Sequence, residues 1–260
     1  MPTSGRLSPD EKTALERDGF VVREGVFGAD DLDVLRTASE ELVAELVRRK
    51  TGVARMRLGS YVFEPEVTSE VTIKWEGDTD VVMGIEPFAH FHQVFADYGM
   101  DPRFTEPAKD FVDADEVMLF TEKLNLKRAH TGGPIVLHQD YPYWVGVSDD
   151  IDRIMTTMLL LDDSDLENGC LEVVPGSHAE GVQPGKKEWG FGANEIDPEV
   201  FETSRLVPMP LKAGSMVMFG PRLVHRSLNN HSDRDRRALL FSYQPAGSRT
   251  LRQFLTTAAN

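Results

Sequence analysis

The sequence is short of cysteine, of cations relative to acids, and of long apolar runs, and each shortage removes a class of answer. Cys170 is the only cysteine, so an intramolecular disulfide and a cysteine-rich zinc site are both excluded. That usage suits a reducing compartment, and the expected location is the cytoplasm. Lys and Arg together number 28 against 43 Asp and Glu, which gives a formal net charge of −15. Nucleic acid and anionic membrane surfaces are held by clustered cations. No Lys/Arg-rich tract is present, so neither is expected as a partner. No run of about 18 apolar residues occurs to cross a bilayer, and the opening MPTSGRLSPDEK lacks the apolar core of a secretory signal. What remains is a composition near the globular average, 40% apolar and 27% charged over 260 residues. The expectation is a soluble protein, monomer or homodimer.

Local signals divide the chain without breaking it. Ser8, Pro9, Asp10 and Glu11 form a helix start, and Gly19 stops that helix before a short strand at Phe20-Val21-Val22. Leu32, Leu35, Leu42 and Leu46 carry the spacing of an amphipathic helix over Asp30 to Arg49. Short β-like runs follow between Met56 and Trp75, then helical stretches near Phe88–Tyr98 and Asp101–Val112. After Asp115 the pattern becomes many short strands: Val117–Leu126, Pro134–Gln139, Ile154–Leu161, Cys170–Val174, Leu206–Pro208, Ser215–Phe219, Leu223–Arg226 and Ala238–Gln244. Those suffice for a double-sheet jelly roll. The expected fold is mostly β with flanking α-helices around a jelly-roll, cupin-like double-stranded β-helix. With no linker or repeat in sight, residues 1–260 read as one domain: a helical and mixed part (1–115), the core (116–246) and a tail (247–260). The Gly-rich stretch 184–202 around Trp189 reads as a long excursion between strands.

Chemistry concentrates at His138-Gln139-Asp140. On a strand, residues i and i+2 share a face, so His138 and Asp140 can reach one metal ion while Gln139 points elsewhere. His225, far downstream, can complete a two-histidine, one-carboxylate triad, a donor set that suits non-haem Fe(II) and leaves positions open for an oxidant. Alone this is a weak signal, since such a pair with a distant histidine arises by chance.

Its surroundings are specific. Glu167-Asn168-Gly169-Cys170-Leu171, then Val173-Val174-Pro175-Gly176-Ser177-His178, lie downstream; Ser227 follows His225 by two residues and Arg236 by eleven; and Asp18-Gly19-Phe20 near the start joins a helix to a strand. Together with His-Gln-Asp these resemble the phytanoyl-CoA dioxygenase family of Fe(II)/2-oxoglutarate oxygenases over nearly the whole chain. The resemblance implies a catalytic metal triad of His138, Asp140 and His225, with 2-oxoglutarate and O2 as co-substrates. It implies Arg236, with Ser227, as the anchor for the distal carboxylate of 2-oxoglutarate, a role a planar bidentate donor fills better than lysine. Gln139 and Asn125 are expected to touch the co-substrate. Where many relatives carry a Trp before the Glu-Asn-Gly block, this chain has Met158. Family halogenases replace the ligating carboxylate with a small residue; Asp140 therefore favours hydroxylation or a related oxidation of an unactivated C–H bond, with release of succinate and CO2. The expected substrate is a specialised-metabolite or amino-acid-like intermediate, and without a basic cluster a CoA thioester is not favoured.

Other residues carry less. Tyr141, Tyr143 and Trp144 are candidate substrate contacts. His90 and His92 are expected to be structural, because i and i+2 on a helix do not share a face. His178 is expected to stabilise its turn, Cys170 to be a small buried residue, and His130 and His231 carry no role. Two other readings stay open: a cupin-type metalloenzyme that does not use 2-oxoglutarate, and a non-catalytic binding protein on the same fold.

Overall fold

A computed structural model describes residues 5–49, 54–66, 71–186 and 190–258. The chain opens with α1 (Pro9–Asp18), where the Ser8 hydroxyl accepts from the Glu11 N–H at 3.2 Å and Glu11 accepts from the Ser8 N–H at 2.8 Å. This reciprocal cap satisfies two N-terminal donors, and Gly19 in the left-handed region ends the helix. Then come β1 (Phe20–Arg23), α2 (Ala29–Arg48), β2 (Met56–Leu58), β3 (Tyr61–Glu66), β4 (Val71–Trp75) and β5 (Val82–Glu86). Two helices, α3 (Gln93–Gly99) and α4 (Pro102–Phe111), lead into the long β6 (Val117–Lys127). After β7 (Ile135–His138) and the single turn α5 (Tyr141–Trp144) follow β8 (Met155–Leu160), β9 (Leu171–Val173), β10 (Val207–Met209), β11 (Met216–Phe219) and β12 (His225–Ser227). The chain closes with β13 (Arg236–Pro245) and α6 (Leu251–Ala258).

The strands form two antiparallel sheets. The larger has the order β1-β11-β8-β13-β6-β5-β4-β3-β2, the smaller β10-β9-β12-β7. Strand alternation builds two cores from the larger sheet. Leu239, Phe241 and Tyr243 of β13 point toward the helices, where they meet Leu35, Leu42 and Leu46 of α2 and Phe104 of α4. Ala238 and Leu240 point the other way and pack with Met158, Val217, Leu171 and Val173 between the sheets. Each fully buried Leu or Phe contributes roughly 2 kcal/mol, so a one-residue slip of β13 would exchange both cores at prohibitive cost.

The jelly-roll expectation agrees with this architecture. Two details differ. Strands β2 to β5 extend the same large sheet that holds the later strands, and β5, with Gly84 at its centre, was not marked by any alternation in Val82-Met83-Gly84-Ile85-Glu86. The helix expected over Phe88–Tyr98 is divided: a 3-10 turn spans Ala89–Phe91, and His92, in extended conformation, caps α3. Of the 184–202 excursion, Trp189 lies outside the described residues. Its later part docks on the β2–β3 turn through buried Glu195, which accepts from the Ser60 N–H (2.8 Å), the Ser60 hydroxyl (2.7 Å) and Lys186 (2.6 Å). Among the described residues no helix is long and apolar enough to cross a membrane.

Candidate functional site

His138 ends β7 and His225 begins β12, and the two are direct cross-strand partners. That register places their rings on one face, with centroids 4.2 Å apart. Each ring is oriented from behind. His138 Nδ1 donates to the Val136 carbonyl (2.8 Å) and His225 Nδ1 to the Leu223 carbonyl (2.9 Å), which leaves both Nε2 lone pairs facing forward. The Val136 N–H donates in turn to the Tyr61 hydroxyl at 2.9 Å, so β3 also steadies the first histidine.

Asp140 arrives by a different route from strand alternation. The strand stops at His138, the backbone turns helical at Asp140, and α5 begins. The outcome is the expected convergence: His138 Nε2 lies 3.8 Å from Asp140 Oδ1, and the ligand atoms of His138, Asp140 and His225 all fall within 4.8 Å of one another. Burial pushes His138 down to about 3, with the neighbouring His225 adding to the effect, and burial lowers His225 as well. Both imidazoles are therefore neutral near pH 7, the form that binds a metal. Burial alone would raise the Asp140 carboxyl, but Lys123, His225 and His138 outweigh it and hold the group below the usual carboxylate range. Lys123 Nζ is 3.4 Å from Asp140 Oδ1.

These groups open on a cavity of about 390 Å³ between the two sheets. Arg236, at the head of β13, is 3% exposed and lines it. Its guanidinium donates to the Gly169 carbonyl, while its Nε is buried with no hydrogen-bond partner. An orphaned charged donor costs free energy unless something else completes it. Gly169 has φ +72°, and a Cβ there would come within 2.2 Å of the Leu228 carbonyl oxygen, so no other residue fits this turn. Arg237 faces the opposite way and pairs with Asp162 at 2.8 Å, as alternation requires. Ser227, Asn125, Tyr143, Trp144 and Met158 also line the cavity.

Gln139 needs a correction. It is fully buried and turned away from the cavity: its amide donates to the Gly181 (2.9 Å) and Arg222 (2.6 Å) carbonyls and accepts from the Gln183 N–H (2.8 Å). Between two inward-facing neighbours it holds the loops behind the metal site, and it is not among the residues that line the cavity. Tyr141 is likewise outside the cavity, 3.8 Å beneath the Arg222 guanidinium. His178 does more than stabilise its own turn, since Nε2 donates to the Glu16 carbonyl (3.2 Å) and ties that turn to α1. Cys170 is free and buried.

Sequence reasoning gave no role to Lys74, Glu86, Tyr61 and Phe63, or to Leu251 and Leu255 of α6, all of which line the cavity. For Lys74 a signal existed: in Val71-Thr72-Ile73-Lys74-Trp75 the apolar residues alternate, and Val71, Ile73 and Trp75 are buried. Nothing in the sequence distinguishes a cavity from solvent on the other face.

Comparison with known proteins agrees with this geometry. The family model described as phytanoyl-CoA dioxygenase matches residues 15–238. The chain is 26% identical to ectoine dioxygenase of Sphingopyxis alaskensis, covering 95% of this chain and 79% of that one. It is 28% identical to L-proline trans-4-hydroxylase of Streptomyces griseoviridis, covering 90% and 85%. The crystal structure of EctD from S. alaskensis with 2-oxoglutarate and 5-hydroxyectoine superimposes with TM-score 0.73 at 22% identity, over 96% of this chain and 80% of that chain. The carbocyclase SnoK from nogalamycin biosynthesis gives TM-score 0.70 at 20% identity, over 95% and 88%. At these identities the structural likeness establishes the fold.

Proposed function

The chain belongs to the phytanoyl-CoA dioxygenase family, and from that premise we propose that it is an Fe(II)- and 2-oxoglutarate-dependent oxygenase acting on a C–H bond of a small molecule. The observation that carries the reading is the pair of imidazoles locked with Nε2 forward beside Asp140, facing a cavity that also holds a buried arginine with an unpartnered donor. The donor set fits the metal: two neutral nitrogens and one carboxylate leave coordination positions free. When bound, iron with 2-oxoglutarate and O2 supplies a two-electron oxidation of the substrate, and 2-oxoglutarate is cleaved to succinate and CO2.

This chain's own residues perform the rest. His138, Asp140 and His225 hold the metal, and the Val136 and Leu223 carbonyls fix the two ring tautomers. Arg236 and Ser227 take the distal carboxylate of 2-oxoglutarate, with the free Nε as the missing donor, and Asn125 lies beside them. Lys123 keeps Asp140 ionised and so ready to ligate. Tyr143 and Trp144 wall the substrate side and exclude water. The relatives named for L-proline and ectoine, and the neighbour from nogalamycin biosynthesis, support a specialised-metabolite or amino-acid-like substrate. The single buried cysteine suits a cytoplasmic setting.

Anaerobic addition of Fe(II) and 2-oxoglutarate tests the reading without knowledge of the substrate. A weak visible metal-to-ligand charge-transfer band is expected. Its absence from folded protein would leave the cupin-type or non-catalytic reading. Asp140→Ala should weaken Fe(II) binding at least about a hundredfold and remove the band; a variant that retains both would sink the ligand assignment.

A further inference from the structure

The cations that line the cavity are Lys74, Lys123, Arg226 and Arg236. Three of them already have work. Arg226 pairs with Glu172 at 2.5 Å, Lys123 sits 3.4 Å from Asp140 and 3.9 Å from Glu86, and Arg236 is the anchor assigned above to 2-oxoglutarate. Lys74 is different. Its Nζ lies 4.0 Å from the centre of the Tyr61 ring and 5.6 Å from that of Phe63, and among the described residues no carboxylate comes within ion-pairing distance.

The fold puts it there deliberately in the physical sense. Val71, Ile73 and Trp75 of β4 are anchored in the helix-side core, so Thr72 and Lys74 must face the cavity. Gly84 is the direct cross-strand neighbour of Lys74 and of Asn125. A Cβ at Gly84 would stand 3.3 Å from the Leu124 carbonyl oxygen, a tight approach, and in ordinary contact with Asn125 Oδ1 (3.4 Å) and Lys74 Cβ (3.8 Å). Lys74 is half-buried, and two aromatic faces compensate for only part of the hydration its ammonium has lost, so a counter-charge in the cavity would be favourable.

We propose that Lys74 is a carboxylate receptor and that the carboxylate belongs to the substrate: a small anionic molecule whose apolar or aromatic body lies along Tyr61, Phe63 and Trp144. This rests on the Fe(II)/2-oxoglutarate reading for the choice between substrate and co-substrate. 2-Oxoglutarate has two carboxylates; one goes with its keto group to the metal and the other to Arg236. Lys74 stands on β4, three strand spacings from β13, or roughly 14 Å between backbones. The anion it awaits is therefore a third carboxylate.

The test uses acid and amide pairs of one shape: benzoate, 3-phenylpropanoate and hexanoate, each against its amide. Binding is followed calorimetrically to the full chain, anaerobically, with and without Fe(II) and 2-oxoglutarate. At least one acid is expected to bind wild type about tenfold or more tighter than its amide. Lys74→Met should abolish that preference, Lys74→Arg should keep it, and neither should alter the affinity for 2-oxoglutarate. Equal binding of acids and amides, no binding by any acid, or a preference that survives in Lys74→Met would overturn the proposal. So would a Lys74→Met variant whose loss is in 2-oxoglutarate affinity, which would make Lys74 a co-substrate anchor. A missing charge-transfer band in wild type would count against the oxygenase reading alone, because the acid-to-amide ratio without Fe(II) and 2-oxoglutarate still reports on Lys74.

Discussion

At the scale of residues, the site depends on which side chain of each adjacent pair faces inward. Arg236 and Arg237 are neighbours with the same charge, yet one is buried at the cavity and the other pairs with Asp162 and Glu40. Arg236→Lys keeps the charge but loses the planar fork, so the dissociation constant for 2-oxoglutarate should rise about tenfold or more. Titration of the charge-transfer band measures it, and Arg237→Lys is the control expected to leave it unchanged. Gln139→Leu makes the opposite point. It strips partners from two carbonyls and one N–H, so unfolding free energy should fall by about 2–4 kcal/mol in urea melts. Affinity for 2-oxoglutarate should not fall beyond what partial unfolding explains; a specific loss would return Gln139 to the co-substrate. His138, Asp140, His225 and Arg236 were legible because local motifs carry the family resemblance. Strand alternation explains why Arg236 faces inward and Arg237 outward, whereas Asp140 reaches the site by a helical turn after β7. Lys74 was not legible, since its meaning depends on what lies opposite β4 once nine strands have assembled.

At the scale of elements, the ends of strands carry the function, and Lys127 at the end of β6 shows how they are held. It is 3% exposed, and its Nζ donates to the Gly133 and Leu228 carbonyls, bracing the loop before β7 and the residue after Ser227. Burial, with the nearby Arg236 charge adding to it, lowers Lys127 to about 7. Its ordinary value is 10.5, so between about 7 and 10.5 the unfolded chain holds a proton that the folded protein gives up, and stability must rise with pH across that window. Relative to Lys127→Met, wild type should gain about 2 kcal/mol between pH 7 and pH 9 in urea denaturation. A flat difference would mean that the amine stays protonated. Periodicity identified most of the elements that frame this region. It failed at β5, where Gly84 interrupts the pattern, and at His92, where a cap divides one apparent helix into two. In both places tertiary contacts decide: β5 exists because β4 and β6 flank it.

At the scale of the whole molecule, no single layer contains the site. His138, His225 and Ser227 belong to the smaller sheet, whereas Arg236, Asn125 and Lys74 belong to the larger. A ligand that reaches from the metal to Arg236 therefore spans the seam between sheets and becomes, by mass action, part of what keeps the two together. At a hundred times its dissociation constant such a ligand adds about 2.7 kcal/mol to the folded state. The melting temperature should climb with 2-oxoglutarate concentration in the presence of Fe(II), and Arg236→Ala should remove most of that dependence. Succinate, which keeps both carboxylates but lacks the keto group that completes the chelate, should give a smaller increment. The seam that makes room for catalysis is also where this acidic chain is left to be fastened by its own co-substrate, so starvation for 2-oxoglutarate would lower the enzyme's lifetime as well as its rate.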